Sequence, residues 1–172
     1  DLARFYAKKA GGIKVKLSAA DAAFPGAVDA AVLYKEHAAA AGIEIEVVRE
    51  PNDGYWKNVW LKKPWGACYW GGRPTEDWMF TTTHFSGADW NDTHFKDENF
   101  DKLLIEARAE TNQNKRRDLY FEMQRIVSDE GGTVVPMFAN YVFATHKKVH
   151  HGNMAGNWMM DGNKFHERWW FA

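Results

Sequence analysis

The 172-residue sequence is short of cysteine, of net charge and of long apolar runs, and each shortage excludes something. Cys68 is the only cysteine, so no disulfide can form within the chain and no paired-cysteine metal motif exists. The 22 Lys and Arg face 23 Asp and Glu, a formal charge of −1. Duplex-binding modules gather a basic excess on one face, because phosphate neutralisation dominates their affinity, so nucleic acid is not an expected partner. The longest apolar runs, such as residues 30–34 and 141–144, fall far short of the roughly 20 residues of a membrane-spanning helix. The sequence also lacks a Gly-x-Ser-x-Gly elbow. Gly71-Gly72-Arg73-Pro74 has neither the glycines nor the lysine of a phosphate loop. His84 and His94, the adjacent His150 and His151, and His146 and His166 match no metal-ligand spacing. Neither a metal, a cofactor nor a catalytic group is expected.

Aromatic residues are abundant. Nine Trp, 11 Phe and 6 Tyr make up 15% of a chain that is 45% hydrophobic, enough to build a core and too much for a disordered segment. The mean hydropathy of −0.54 embeds these rings in a polar chain.

The periodicity predicts an α/β protein. A helix over residues 1–12 stops at Gly11-Gly12, and Ile13-Lys14-Val15-Lys16-Leu17 alternates as a half-buried strand does. An Ala-rich helix over 27–41 ends at Gly42 and leads into Ile43-Glu44-Ile45-Glu46-Val47, a second alternating strand. Strand, crossover helix and strand form a βαβ unit, right-handed by the general rule. A short helix over 55–61 and a strand over 67–70 follow, then irregular sequence from 75 to 96. Helices are expected after a cap at Asn99 and over 115–128, the second halted by Gly131-Gly132. Strands are expected over 133–138 and 141–145, and the tail over 146–172 has no helical period.

Binding is the chemistry best supported. Trp70, Trp78 and Trp90 lie on or after a predicted strand end, among Arg73, Asn91 and several hydroxyls. Open α/β sheets hold ligands where strand carboxyl ends feed loops, and aromatic faces with a few polar groups make a small-molecule site. The same tryptophans could equally pack a core. Arg73 could grip a ligand carboxylate with two parallel hydrogen bonds, or pair with Glu76 or Asp77.

The order of features resembles the C-terminal part of the family 5 extracellular solute-binding proteins, the peptide and nickel class that serves ABC importers. The match runs through the strand–helix–strand to Gly42-Ile43-Glu44, then Trp56 and Tyr69-Trp70-Gly71-Gly72. It continues with Asn99-Phe100-Asp101-Lys102-Leu103-Leu104, Arg116-Arg117-Asp118-Leu119-Tyr120, Glu122-Met123-Gln124-Arg125-Ile126 and Gly132-Thr133-Val134-Val135-Pro136. The resemblance implies one lobe of a two-lobed periplasmic-binding-protein-like fold (class II, type C). Residues 1–139 would form the C-terminal lobe, and 140–172 would cross to a second lobe built by sequence N-terminal to Asp1. It further implies an exported, periplasmic receptor, its leader absent from this chain, that closes over a solute by hinge motion and delivers it to a membrane permease. Ligand contacts are expected from Trp70, Gly71, Gly72, Arg73, Trp90 and Asn91.

One position departs from the pattern. Peptide-binding members place an Asp, which holds the peptide amine, where this chain has Gly72 followed by Arg73. Trading an acceptor for a cation points to an anionic, carbohydrate-like or opine-like solute, with Arg73 as anchor and Trp70 as stacking wall. Two other classes stay open: a small hydrolase using Cys68 or a histidine, and a domain that self-associates through its aromatic tail.

Overall fold

The computed structural model describes residues 2–172. They form two compact units, one ending at Trp70 and the other spanning Gly71–Ala172.

In the first unit, α1 (Leu2–Lys9) precedes β1 (Ile13–Ala19), α2 (Ala27–Ala39), β2 (Ile43–Arg49) and α3 (Tyr55–Asn58). β1 and β2 pair in parallel, with Lys14 opposite Glu44 and Lys16 opposite Glu46. Those opposed charges close across the exposed face at 2.7 and 3.2 Å. Solvated pairs of this kind add at most about 1 kcal/mol each, yet a one-residue slip would bury them, so they help to specify register. The other face buries Leu17, Ala19 and Ile45 against Ala31 of α2. Alanine at 31 lets the helix approach the strands closely, while Val32 and Leu33 stay exposed. α2 gives way to β2 at Gly42, whose φ of 81° is a left-handed conformation suited to glycine.

The strand expected over 67–70 is reduced to one parallel bridge, Ser18 with Gly66. Ser18 donates its amide to Trp65 O (3.1 Å) and accepts from the Ala67 amide (2.8 Å). β1 ends one residue later at Ala19, so within this unit the ladder has no further rung for residues 67–70. The helix expected over 55–61 ends early, at Asn58.

The second unit contains α4 (Glu76–Thr83), α5 (Glu98–Ala109), α6 (Gln113–Glu130), β3 (Val149–His151), the short turns α7 (Met159–Asn163) and α8 (Phe165–Arg168), and β4 (Trp169–Phe171). Residues 75–96, expected to be irregular, contain α4, which Thr75 caps by accepting from the Trp78 amide. Likewise Asp97, not Asn99, caps α5, accepting from the Phe100 amide at 2.7 Å. α4, α5 and α6 enclose Phe80, Phe100, Leu104, Ala107, Met123 and Ile126. Phe100 is fully buried, meeting Phe80 and Phe95 edge-on at 5.4 and 5.6 Å between ring centres.

The strands expected over 133–138 and 141–145 do not form. Extended apolar sequence becomes a strand only when a ladder partner is present, and among the described residues this segment pairs with none. Regular pairing resumes between β3 and β4, which are antiparallel with His150 opposite Trp170 and His151 opposite Trp169. The tail is tied by Asp161, which is buried and accepts from the Ala155 amide (2.6 Å) and Trp169 Nε1 (3.2 Å), and pairs with Arg168 (3.1 Å). Among the described residues no helix is long and apolar enough to cross a membrane.

Candidate functional site

The expected ligand residues divide between the units. Trp70 is the last residue of the first, at the end of a segment anchored by Tyr55. The buried Tyr55 hydroxyl donates to Ala67 O at 2.6 Å and lies 3.3 Å from Ser18 O. Burial first, then the nearby Cys68 and Glu50, pushes its pKa up to about 12. From Tyr55 a run of rings spreads edge-to-face. Trp56 lies 5.6 Å from Tyr55, 5.9 Å from Trp60 and 5.8 Å from Tyr69, and Trp60 lies 6.2 Å from Trp70. Trp56 and Tyr69 are exposed, so the array is an aromatic surface rather than a sealed core. Cys68 is half-buried beside it. Glu50 accepts from Ser18 Oγ and is bonded by Lys63; these bonds hold its carboxyl below the usual range.

In the second unit, Gly71, Gly72 and Arg73 lead through Pro74 into the cap of α4. The Arg73 guanidinium donates from Nη1 to Gly71 O (2.8 Å), and its central carbon stands 5.8 Å from the centre of the Trp78 ring. A cation over an indole face is attracted by the ring quadrupole and held in a defined plane. Asp77, one of the carboxylates considered for Arg73, is gripped by Arg108 at 2.6 and 3.3 Å. Trp158 of the tail donates from Nε1 to Gly72 O at 2.8 Å and meets Trp78 edge-on at 6.4 Å. Sequence reading assigned Trp158 to a separate tail. No local pattern reveals a contact between residues 86 positions apart. Trp78 was legible on its helix face only through the Thr75 cap followed by Glu76 and Asp77, a helix-start signal in sequence read as irregular.

Trp90 and Asn91 occupy the loop between α4 and α5. Trp90 is half exposed. Asn91 is buried and fastens the loop: Nδ2 donates to Phe85 O (3.3 Å) and Phe95 O (2.6 Å), and Oδ1 accepts from the Phe95 amide (3.1 Å) and Thr93 Oγ1 (3.4 Å). Nearby, His84 is buried between Thr83 Oγ1 (2.6 Å) and Thr133 Oγ1 (3.3 Å). Burial lowers its pKa, against a smaller upward pull from Asp92. Among the described residues no group of three or more His, Cys, Asp or Glu is placed to hold a metal ion.

Chemically, the arrangement offers a guanidinium oriented over the Trp78 indole, which suits a planar carboxylate.

No protein-family model matches the sequence and no curated protein matches it. Solved structures do match. They include the ABC transporter-associated periplasmic binding protein DppA from Helicobacter pylori in complex with a peptide, at 20% identity and TM-score 0.60 over 75% of this chain. The ABC transporter substrate binding protein CtaP from Listeria monocytogenes matches at 13% identity and TM-score 0.62 over 74%. NikA from Staphylococcus aureus, solved with nickel and L-histidine, matches at 20% identity and TM-score 0.57 over 73%. This chain spans 27% of the length of DppA and of CtaP, and 28% of that of NikA. The chain is α/β and has the fold of one part of these two-lobed binding proteins.

Proposed function

We propose that the protein is the substrate-binding component of an ABC importer, and that it takes a carboxylate-bearing, peptide-like or opine-like solute without chemical change. The observation that carries this reading is the fold shared over about three-quarters of the chain with ABC-transporter binding proteins. Arg73 supplies the solute class: a guanidinium oriented by Gly71 O and Trp78 favours an anion, and Gly72 offers no carboxylate for an amine. In this reading Trp70, Gly71, Gly72, Arg73, Trp90 and Asn91 contribute to the solute's surroundings, Asn91 by fixing the loop that carries Trp90.

The second wall of the pocket belongs to another lobe, outside the stretch matched here, and binding closes the two by hinge motion. In this reading residues 1–139 belong to the C-terminal lobe and 140–172 cross toward the other. The lack of any regular element between Glu130 and Val149 supports a boundary there. The working place is outside the cytoplasmic membrane, with a permease as protein partner. Exposed Val142 and Phe171 give the tail an apolar surface through which copies would self-associate, and sedimentation across a concentration series reads that directly.

Calorimetry with N-(1-carboxyethyl)-L-alanine, an opine-type diacid, tests the reading against the neutral-side-chain peptide trialanine. Binding of the diacid should weaken by about 2–4 kcal/mol in Arg73→Ala, the range for a charge-assisted pair. Equal affinity in the variant would remove Arg73 from the site.

A further inference from the structure

We propose that Trp158 is a positioning residue for Arg73: the tail indole sets the peptide plane and the ring on which the guanidinium is mounted. The proposal deepens the solute-binding reading and rests on it for the identity of the bound anion, but not for the contact itself.

Arg73 makes two of the contacts around it, and Trp158 makes two more with its neighbours. Its own Nη1 is tied to Gly71 O at 2.8 Å. Gly72 O, which accepts from Trp158 Nε1 at 2.8 Å, belongs to the very peptide group that leads into Arg73. Trp78, whose face lies 5.8 Å from the guanidinium carbon, is itself met edge-on by Trp158 at 6.4 Å. Trp158 therefore touches the peptide group that leads into the arginine, through a hydrogen bond, and the ring beneath its guanidinium, through edge-on packing.

An independent observation points the same way. A β-carbon at Gly72 would stand 3.2 Å from Asn157 O, tighter than most such contacts. The chain approaches residue 72 at both 157 and 158, so a side chain there would press on the tail by a few tenths of an ångström. Pro74 adds stiffness from the other side, since it restricts the backbone of the residue before it. An anion bound by Arg73 then meets a guanidinium whose direction is already fixed, and little ordering entropy remains to be lost on binding.

Trp158→Phe keeps a ring beside Trp78 and deletes the N–H donor. The first readout needs no ligand: the Arg73 Nε–H signal in nitrogen-resolved NMR should shift and its hydrogen exchange accelerate, while signals of Phe100 and Leu104 in the helical core stay in place. An unmoved Arg73 signal overturns the proposal. The second readout is a double-mutant cycle with N-(1-carboxyethyl)-L-alanine. Trp158→Phe alone should weaken binding by about tenfold, a loss on the scale of one hydrogen bond, and should add almost nothing in an Arg73→Ala background. Additive losses would mean that Trp158 acts independently of Arg73, which also overturns it. If the parent protein binds no diacid while Trp158→Phe still moves the Arg73 signal, the anionic-solute reading fails and the positioning role stands.

Discussion

Removing one oxygen atom from Tyr55 should loosen the segment that presents Tyr69 and Trp70. The side chain is 1% exposed, and its hydroxyl donates to Ala67 O at 2.6 Å. In Tyr55→Phe the ring still fills its place beside Val59 and Ala23, so no large cavity forms. The loss is the hydrogen bond itself, about 0.5–1.5 kcal/mol net, together with the cost of an acceptor stranded in a half-buried segment. The sum is about 2 kcal/mol, which at a urea slope of about 1–3 kcal/mol/M lowers the unfolding midpoint by roughly 1 M. Amide exchange at Ala67, whose N–H donates to Ser18 O, should accelerate, because the same rung is weakened.

The alkaline limb gives a second check on the same variant. The folded pKa of Tyr55 is raised to about 12 from an ordinary 10.0, so the neutral phenol is favoured in the fold. That contribution is complete below pH 10 and disappears as pH rises through about 12. Tyr55→Phe should flatten this limb, leaving the smaller alkaline loss from Tyr120, which burial also raises. A midpoint shift below about 0.2 M with an unchanged alkaline limb would refute the reasoning, because neither the bond nor the burial would then be energetically present.

His84 should make the helical unit acid-sensitive. Its folded pKa lies below the ordinary 6.5, so the unfolded chain takes up the proton first. Stability is full above that value and declines as pH falls from 6.5 toward the folded value; in thermal melts between pH 8 and 5, His84→Gln should lose most of this slope. Asn91→Ala deletes two donated and two accepted hydrogen bonds inside the loop between α4 and α5. It should cost about 2–3 kcal/mol in urea unfolding and alter the emission of its neighbour Trp90; a loss under about 0.5 kcal/mol would mean that the loop is held by other contacts.

Legibility followed the range over which each signal acts. The alternation of Ile13 to Leu17 and of Ile43 to Val47, the Ala-rich helix between them and the glycine at 42 are local patterns. They placed the βαβ unit to within a few residues. α5 and α6 were legible for the same reason, their apolar stripes repeating every three or four residues. Caps were harder: Asn99 and Asp97 are both competent acceptors, and only the extended backbone at Asp97 decides between them. Strands over 67–70, 133–138 and 141–145 were misread because extended sequence does not contain its own partner. Around the site, Arg73 and its glycines stood out locally, whereas the grip of Arg108 on Asp77 and the bond from Trp158 to Gly72 join distant residues.

The same long-range contact gives a physical reason for the glycine at 72. The resemblance to peptide-binding receptors places a carboxylate there to hold an amine. In this chain Asn157 O lies 3.2 Å from where a β-carbon would be, and Trp158 Nε1 is bonded to the carbonyl of the same residue. A side chain at 72 thus crowds the tail at 157–158. Gly72→Asp should push the tail away at about 1–3 kcal/mol of overpacking, and it should bring a carboxylate beside the Arg73 guanidinium. Trp158 indole exchange should accelerate, tail cleavage by a protease at low dose should become faster, and affinity for N-(1-carboxyethyl)-L-alanine should fall as the new carboxylate competes for the arginine. If Gly72→Asp leaves the Trp158 N–H protected and the diacid bound as before, the tail is not seated on residue 72. The glycine at 72 would then need a cause other than the one the 3.2 Å approach supplies.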